Sequence, residues 1–114
     1  MRGVNSVFLL GCLRGEPQQL TSKAGKNYVR FEMDVVTVRK TNGMDEEVRE
    51  IVPVTAFAKL GEIVTKYVMA GDPLHVVAHI GSAEFKTDAG AVKRSVSVVA
   101  DTVQLLPNGR KGDS

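Results

Sequence analysis

Tryptophan is absent from this 114-residue chain, and its aromatic rings are confined to two tyrosines and four phenylalanines. Any role for ring faces therefore rests on few positions. Cysteine is nearly absent too. Cys12 stands alone, so no internal disulfide can form, and a reduced cytoplasmic setting is expected. It lies in an apolar stretch with no base near it in sequence, which suggests an inert buried thiol. No apolar run reaches the ~18 residues that a membrane span needs. The N-terminus MRGVNSVFLL has one arginine and a short apolar run, but GCLRGE (residues 11–16) is a poor cleavage region. It reads as mature protein rather than a signal peptide. Charge of one sign is scarce: 15 Lys and Arg against 13 Asp and Glu give a net +2. A strongly basic balance, the clearest mark of a polyanion partner, is missing. No Gly-rich phosphate loop, paired acidic motif or Ser/His/Asp set stands out, so neither an enzyme nor a bound cofactor is expected. His75 and His79 share a strand face but lie about 13 Å apart at ~3.3 Å per residue. One zinc holds its nitrogens at ~2.0–2.1 Å, so the two imidazoles read as ordinary barrel or interface histidines.

What is present is most legible in IVPVTAFAKLGEIVTKYVMAG, residues 51–71. Val52, Val54 and Ala56 form one apolar strand face. Ile51, Pro53, Thr55 and Phe57 fall on the other, because side chains alternate along a strand. Phe57 thus points away from the core face of its own strand. Leu60, Ile63, Val64, Tyr67 and Val68 then recur at spacings of three and four, which predicts one apolar helical stripe. On that stripe Tyr67 is a core residue. Gly71 suits a left-handed cap, and Pro73 keeps the helix from continuing. A lone short helix beside a strand with an outward aromatic points to a small barrel that binds something on its outer surface.

The other segments read as four more strands. Residues 4–13 are apolar on both faces over Val7–Leu10, so that strand is covered on both sides by its own domain or by a partner chain. Residues 28–39 alternate, with Val29, Phe31, Met33 and Val35 one way and Arg30, Glu32 and Asp34 the other. The phase slips at Val35-Val36, where a bulge is expected, and Val36 and Val38 take over as the apolar set. TNGMDEE (41–47) is a loop with an Asn-Gly turn signal, its acidic run Asp45-Glu46-Glu47 solvated. Residues 74–85 direct Leu74, Val76, Ala78 and Ile80 inward, and a hairpin around Asp88-Ala89-Gly90 leads to a last strand over 92–105. With 43% hydrophobic residues the chain has enough for one real core, and no repeat, linker or second domain is visible. The order β-β-β-α-β-β, all-β with one helix, matches the five-stranded OB-fold barrel. The barrel occupies residues 1–106, and 107–114 is a short, polar, frayed tail.

At this point a resemblance becomes specific. RGVNSVFLLGCLRGEP (2–17), YVRFEMDV (28–35), VPVTAFAKLGEIVTKYVMAG (52–71) and VVADTVQLL (98–106) resemble, in order and spacing, the bacterial single-stranded DNA-binding protein (SSB) family. AFAKL with its trailing helix and glycine is the most specific part. The resemblance implies a cytoplasmic, nucleoid-associated protein without enzymatic activity. It implies dimers that pair through the first strand and assemble into a homotetramer. Such a protein wraps and protects single-stranded DNA with little sequence preference during replication, recombination and repair.

The resemblance also assigns residues. Phe57 and Lys59 stand at family binding positions, and Phe85 and Ile51 match stacking positions, Ile51 without its aromatic ring. Arg39 and Lys40 stand where the family has a further stacking tryptophan and nearby basic residues. Ala70, Gly81, Ser82 and Ala83 occupy positions that are basic in other members. Single-strand binding that tolerates sequence needs ring faces for bases and a cationic groove for phosphates, which Phe57 and Lys59 supply. Tyr28 and Arg30 share a strand face that suits such a surface, though Glu32 and Asp34 lie on it too, and Arg2 precedes the first strand. Lys23, Lys26, Lys86, Lys93 and Arg94 cluster near loops, where phosphate contact and a solvated rim compete as readings. The departures from the family pattern keep a second expectation open: an OB-fold interaction module, or a replication-restart adaptor resembling primosomal replication protein B, with weak DNA binding. Phe57, Lys59 and Phe85 favour the first. The tail PNGRKGDS has two cations against one acid and no apolar anchor, so the acidic tip by which the family recruits replication enzymes is not expected here.

Overall fold

A computed structural model describes residues 1–107. Five strands and one helix follow in the expected order: β1 (Val7–Thr21), β2 (Asn27–Thr41), β3 (Met44–Phe57), α1 (Lys59–Tyr67), β4 (Pro73–Lys86) and β5 (Val92–Leu105). The sheet closes as β1-β2-β3-β5-β4, with β4 returning to β1. The pairs are antiparallel except β3–β5, where Val54 lies beside Val98 and Thr55 beside Val99. β1 closes the barrel by changing neighbours along its length: it pairs with β4 over Val7–Cys12 and with β2 over Cys12–Thr21.

Alternation puts one face of each strand inside. Val29, Phe31 and Met33 of β2 meet Val54 and Ala56 of β3, Leu74, Val76 and Ala78 of β4, Leu13 of β1 and Ala100 of β5. Each large side chain removed from water here contributes about 1.5–3 kcal/mol. The helix packs on β1, β2, β3 and β5 and drives Val64 into the same core, with Val68 just beyond its end.

Several expectations are corrected. The slip at Val35-Val36 is not a bulge: β2 and β3 pair without a break from Tyr28 opposite Phe57 to Thr41 opposite Met44. The alternation continues, but the two strands outrun the barrel wall, so Val36 and Val38 point to solvent from a two-stranded ribbon. The turn is Asn42-Gly43 alone, both at positive φ (54° and 79°), the type I′ geometry that suits a twisted hairpin. The segment TNGMDEE is therefore mostly strand, and Asp45, Glu46 and Glu47 belong to β3. Register shifts occur elsewhere. One lies between Arg14 and Gln18 of β1, where Pro17 needs no ladder partner, and carries β1 on to Thr21 rather than ending near residue 13. The other lies at Val77/Ala78, where Asp101 is the extra residue of β5.

The helix also differs. It ends at Tyr67, not at Gly71. Tyr67 is 65% exposed rather than core. Gly61 explains the rotation. A Cβ there would lie 2.8 Å from Val29 Cγ2 and 3.0 Å from the Ala56 carbonyl oxygen, so only glycine permits this approach. The buried line becomes Gly61, Val64 and Val68, and Tyr67 turns outward. The return to β4 is fastened instead by hydrogen bonds. Gly71 N–H donates to the Leu13 carbonyl (2.8 Å), and Leu13 N–H to that of Asp72 (2.9 Å). The buried Asp72 carboxylate accepts from Met69 N–H at 2.9 Å. Ile80 continues the inward face but sits at the rim, half open to solvent, and Cys12 is only half-buried. The tail expected over 107–114 lies, past Pro107, outside the described residues.

Candidate nucleic-acid interface

Tyr28 opens β2 and Phe57 closes β3, and the two are directly opposite. Opposite residues share a face, and their neighbours Val29 and Ala56 are core, so both rings look outward. Their centroids are 5.6 Å apart with planes tilted by 42°. Phe57 remains 44% exposed. Immediately after it the chain turns at Ala58, whose φ of 53° and ψ of −124° lie where a side chain is costly. Ala58 N–H donates to the Asn27 carbonyl at 3.4 Å, and Glu62 N–H donates to the Ala58 carbonyl at 3.2 Å, starting the helix. This bend brings Lys59 onto the same side as the rings.

The result is an open groove of about 860 Å³. Tyr28 and Phe57 lie along it, Gln19, Leu20 and Thr21 of β1, Lys26 of the β1–β2 loop and Asn27 at the start of β2 line one side, and Lys59, Glu62, Thr65 and Lys66 of α1 line the other. Three lysines stand against one glutamate. None of the three forms an ion pair with a described residue. Thr21 and Asn27 side chains bond each other at 3.2 Å, and Thr65 Oγ1 donates to the Gly61 carbonyl at 2.9 Å. Apolar ring faces flanked by cations offer stacking and phosphate contact together.

The other candidate residues are spread out. Arg30 is the next outward residue of β2 and borders a small hollow of about 100 Å³ with Pro53, Thr55 and Val96–Val98. Ile51 lies opposite Asp34, and Arg49 Nε stands 3.1 Å from Asp34 Oδ1 without the alignment of a hydrogen bond. Arg39 and Lys40 sit near the ribbon tip on opposite faces, Arg39 opposite Glu46 and Lys40 opposite Asp45. Phe85, 48% exposed, is near the tip of the β4–β5 hairpin, opposite Lys93 and beside the 2.6 Å Glu84–Arg94 pair. Arg2 is exposed ahead of Asn5, whose side chain bonds both backbone groups of Ile80 at 2.8 Å. The structure thus gathers Tyr28, Phe57 and Lys59 and leaves the rest outside that groove. His79 Nδ1 lies 2.9 Å from Asp101 Oδ1, and no set of three metal-ligating groups occurs among the described residues.

Sequence reasoning missed Glu62, Thr65, Lys66 and Gln19–Thr21. The helical set was readable, because residues three and seven after Lys59 return to its face. The β1 set was not, because it depends on the shift past Pro17. No helix among the described residues is long and apolar enough to cross a membrane.

Comparison with known proteins gives one direction. The profile of the Single-strand binding protein family matches residues 4–106. The single-stranded DNA-binding protein of Xanthomonas axonopodis pv. citri (strain 306) is 31% identical over 113 residues, 98% of this chain and 62% of that protein. This chain therefore spans about three fifths of that relative's length. A deletion mutant of the single-stranded DNA binding protein from Thermus aquaticus superposes with a TM-score of 0.81 at 21% identity, over 95% of this chain and 53% of that one. The Plasmodium falciparum SSB complex with ssDNA superposes with a TM-score of 0.76 at 14% identity, over 94% of this chain and 98% of that one. These two likenesses establish a shared fold.

Proposed function

The chain belongs to the single-strand binding protein family, and on that footing we propose that it binds and protects single-stranded DNA with little sequence preference. The observation that carries the reading is the Tyr28–Phe57 ring pair, open to solvent in a groove edged by Lys26, Lys59 and Lys66. Bases stack on the rings, and every base has a π-face, so the contact tolerates sequence. Lysines neutralise phosphates. Phe85 with Lys93 forms a second, separate station of the same chemistry on the β4–β5 hairpin. The work is binding, not catalysis, in the service of replication, recombination and repair. Phe8 and Leu10 leave an apolar stripe on β1, which pairs two copies and then four.

One observation favours a weaker binder of the replication-restart kind: the ribbon cations Arg39 and Lys40 each face an acid. A titration separates the two. Oligo-dT should bind well ahead of the matching duplex, and more weakly at 200 mM than at 50 mM salt, as counterion release requires. Equal affinity for duplex and single strand, or no binding at low salt, would sink the first reading.

A further inference from the structure

We propose that the phosphate path leaves the β2–β3 ribbon aside and crosses α1, with Lys66 and Lys26 as its contacts on the two sides of the groove. This rests on the reading of the groove as a single-strand site. Three observations in the groove support it. Lys66 lies two helical turns beyond Lys59, on the same side of α1, and both line the groove that holds Phe57. Lys26, on the β1–β2 loop, lines it from the other side. A backbone lying across the rings would therefore have cations on both flanks. The three lysines are exposed and form no ion pair with a described residue, so their charge is free for phosphate.

The ribbon is the opposite case. Arg39 faces Glu46, Lys40 faces Asp45, and Arg49 is held by Asp34 at 3.1 Å. A phosphate approaching any of these cations also has a carboxylate across the ladder, which weakens its attraction. Arg39 and Lys40 form no ion pair with a described residue, but the acid directly across the ladder from each offsets part of its charge. Glu62 is the one acid lining the groove, and it sits between the lysines in sequence. It marks the point where the path is least favourable.

Salt dependence of oligo-dT binding tests the path. For single strands the slope of log K against log salt is about −0.7 per phosphate neutralised. Lys66→Ala and Lys26→Ala should each make that slope shallower by about 0.7. Arg39→Ala and Lys40→Ala should leave it unchanged, and Glu62→Gln should tighten binding. All five side chains are exposed, and unaltered circular dichroism melting would verify that the fold is kept; Lys66→Gln guards against a helix-propensity effect. Slopes unchanged in the two groove variants, or lowered in the two ribbon variants, would overturn the path. If the unmodified chain fails to bind oligo-dT, the single-strand reading itself falls, and the path with it. Binding with the wrong slopes overturns the path alone.

Discussion

Tyr28 and Phe57, the first outward residue of β2 and the last of β3, meet across the ladder with ring centroids 5.6 Å apart and planes 42° from parallel. The gap is too small for a base to slip between them. They form instead a bent apolar corner, one wall from each strand, that a base can rest against.

Removing either wall should weaken oligo-dT binding by on the order of 1 kcal/mol or more. Phe57→Ala and Tyr28→Ala together should cost less than the sum of the two, because each ring positions the other. Tyr28→Phe should retain most of the affinity. Equilibrium titration with far-UV circular dichroism alongside checks this. Unfolding of Phe57→Ala would mean that its ring belongs to the core.

Phe57 also shows how far the chain could be read without coordinates. Its outward direction follows from strict alternation in Val52–Phe57, and the helix follows from spacings of three and four. The closed barrel follows from the order of elements. Three features were illegible for physical reasons. Val35-Val36 looks like a phase slip because apolar residues on the ribbon's solvent side mimic a new core face. Tyr67 looks buried because a hydrophobic count gives glycine no weight, yet Gly61 is the residue that brings α1 against Val29 and Ala56. The groove's β1 side was hidden by the register shift between Arg14 and Gln18.

Ala58 holds a strained backbone between the stacking ring and the first helical lysine, with φ of 53° and ψ of −124°. Glycine adopts that region without cost, whereas a Cβ there costs of order 1–3 kcal/mol. Against this, glycine gives back about 0.4–1 kcal/mol of unfolded-chain entropy. Ala58→Gly should therefore raise stability by about 1 kcal/mol in urea unfolding and leave oligo-dT affinity unchanged. A loss of stability would show that Ala58 is relaxed.

Gly61 tolerates no side chain. A methyl group would meet Val29 Cγ2 at 2.8 Å and the Ala56 carbonyl oxygen at 3.0 Å. Better helix propensity would gain about 1 kcal/mol, but overpacking a filled core costs typically 1–3 kcal/mol. Gly61→Ala should lower the urea midpoint, and by tilting α1 off β2 it should also weaken oligo-dT binding at Lys59. A midpoint equal to that of the unmodified chain would contradict the packing.

Assembly is the remaining test, and β1 decides it. Phe8 is 69% and Leu10 61% exposed on the outer face of β1, while Val7 and Leu9 pack against the core from the inner face. Directly opposite on β4 lie Val77 and His75, so the apolar stripe widens onto β4 at Val77 and is bordered by an imidazole beside Leu10. Over Val7–Gly11, β1 pairs with β4 alone, so a second copy can join along the edge that β2 does not take as well as over the exposed face. Burying this stripe against its own copy removes rings and branched chains from water at about 25 cal/mol per Å². Light scattering at micromolar concentration should report a dimer or tetramer. Phe8→Glu and Leu10→Glu should lower the mass toward that of one chain without changing the far-UV spectrum, since neither side chain enters the core. A monomer for the unmodified chain, or variants that unfold before they dissociate, would refute this.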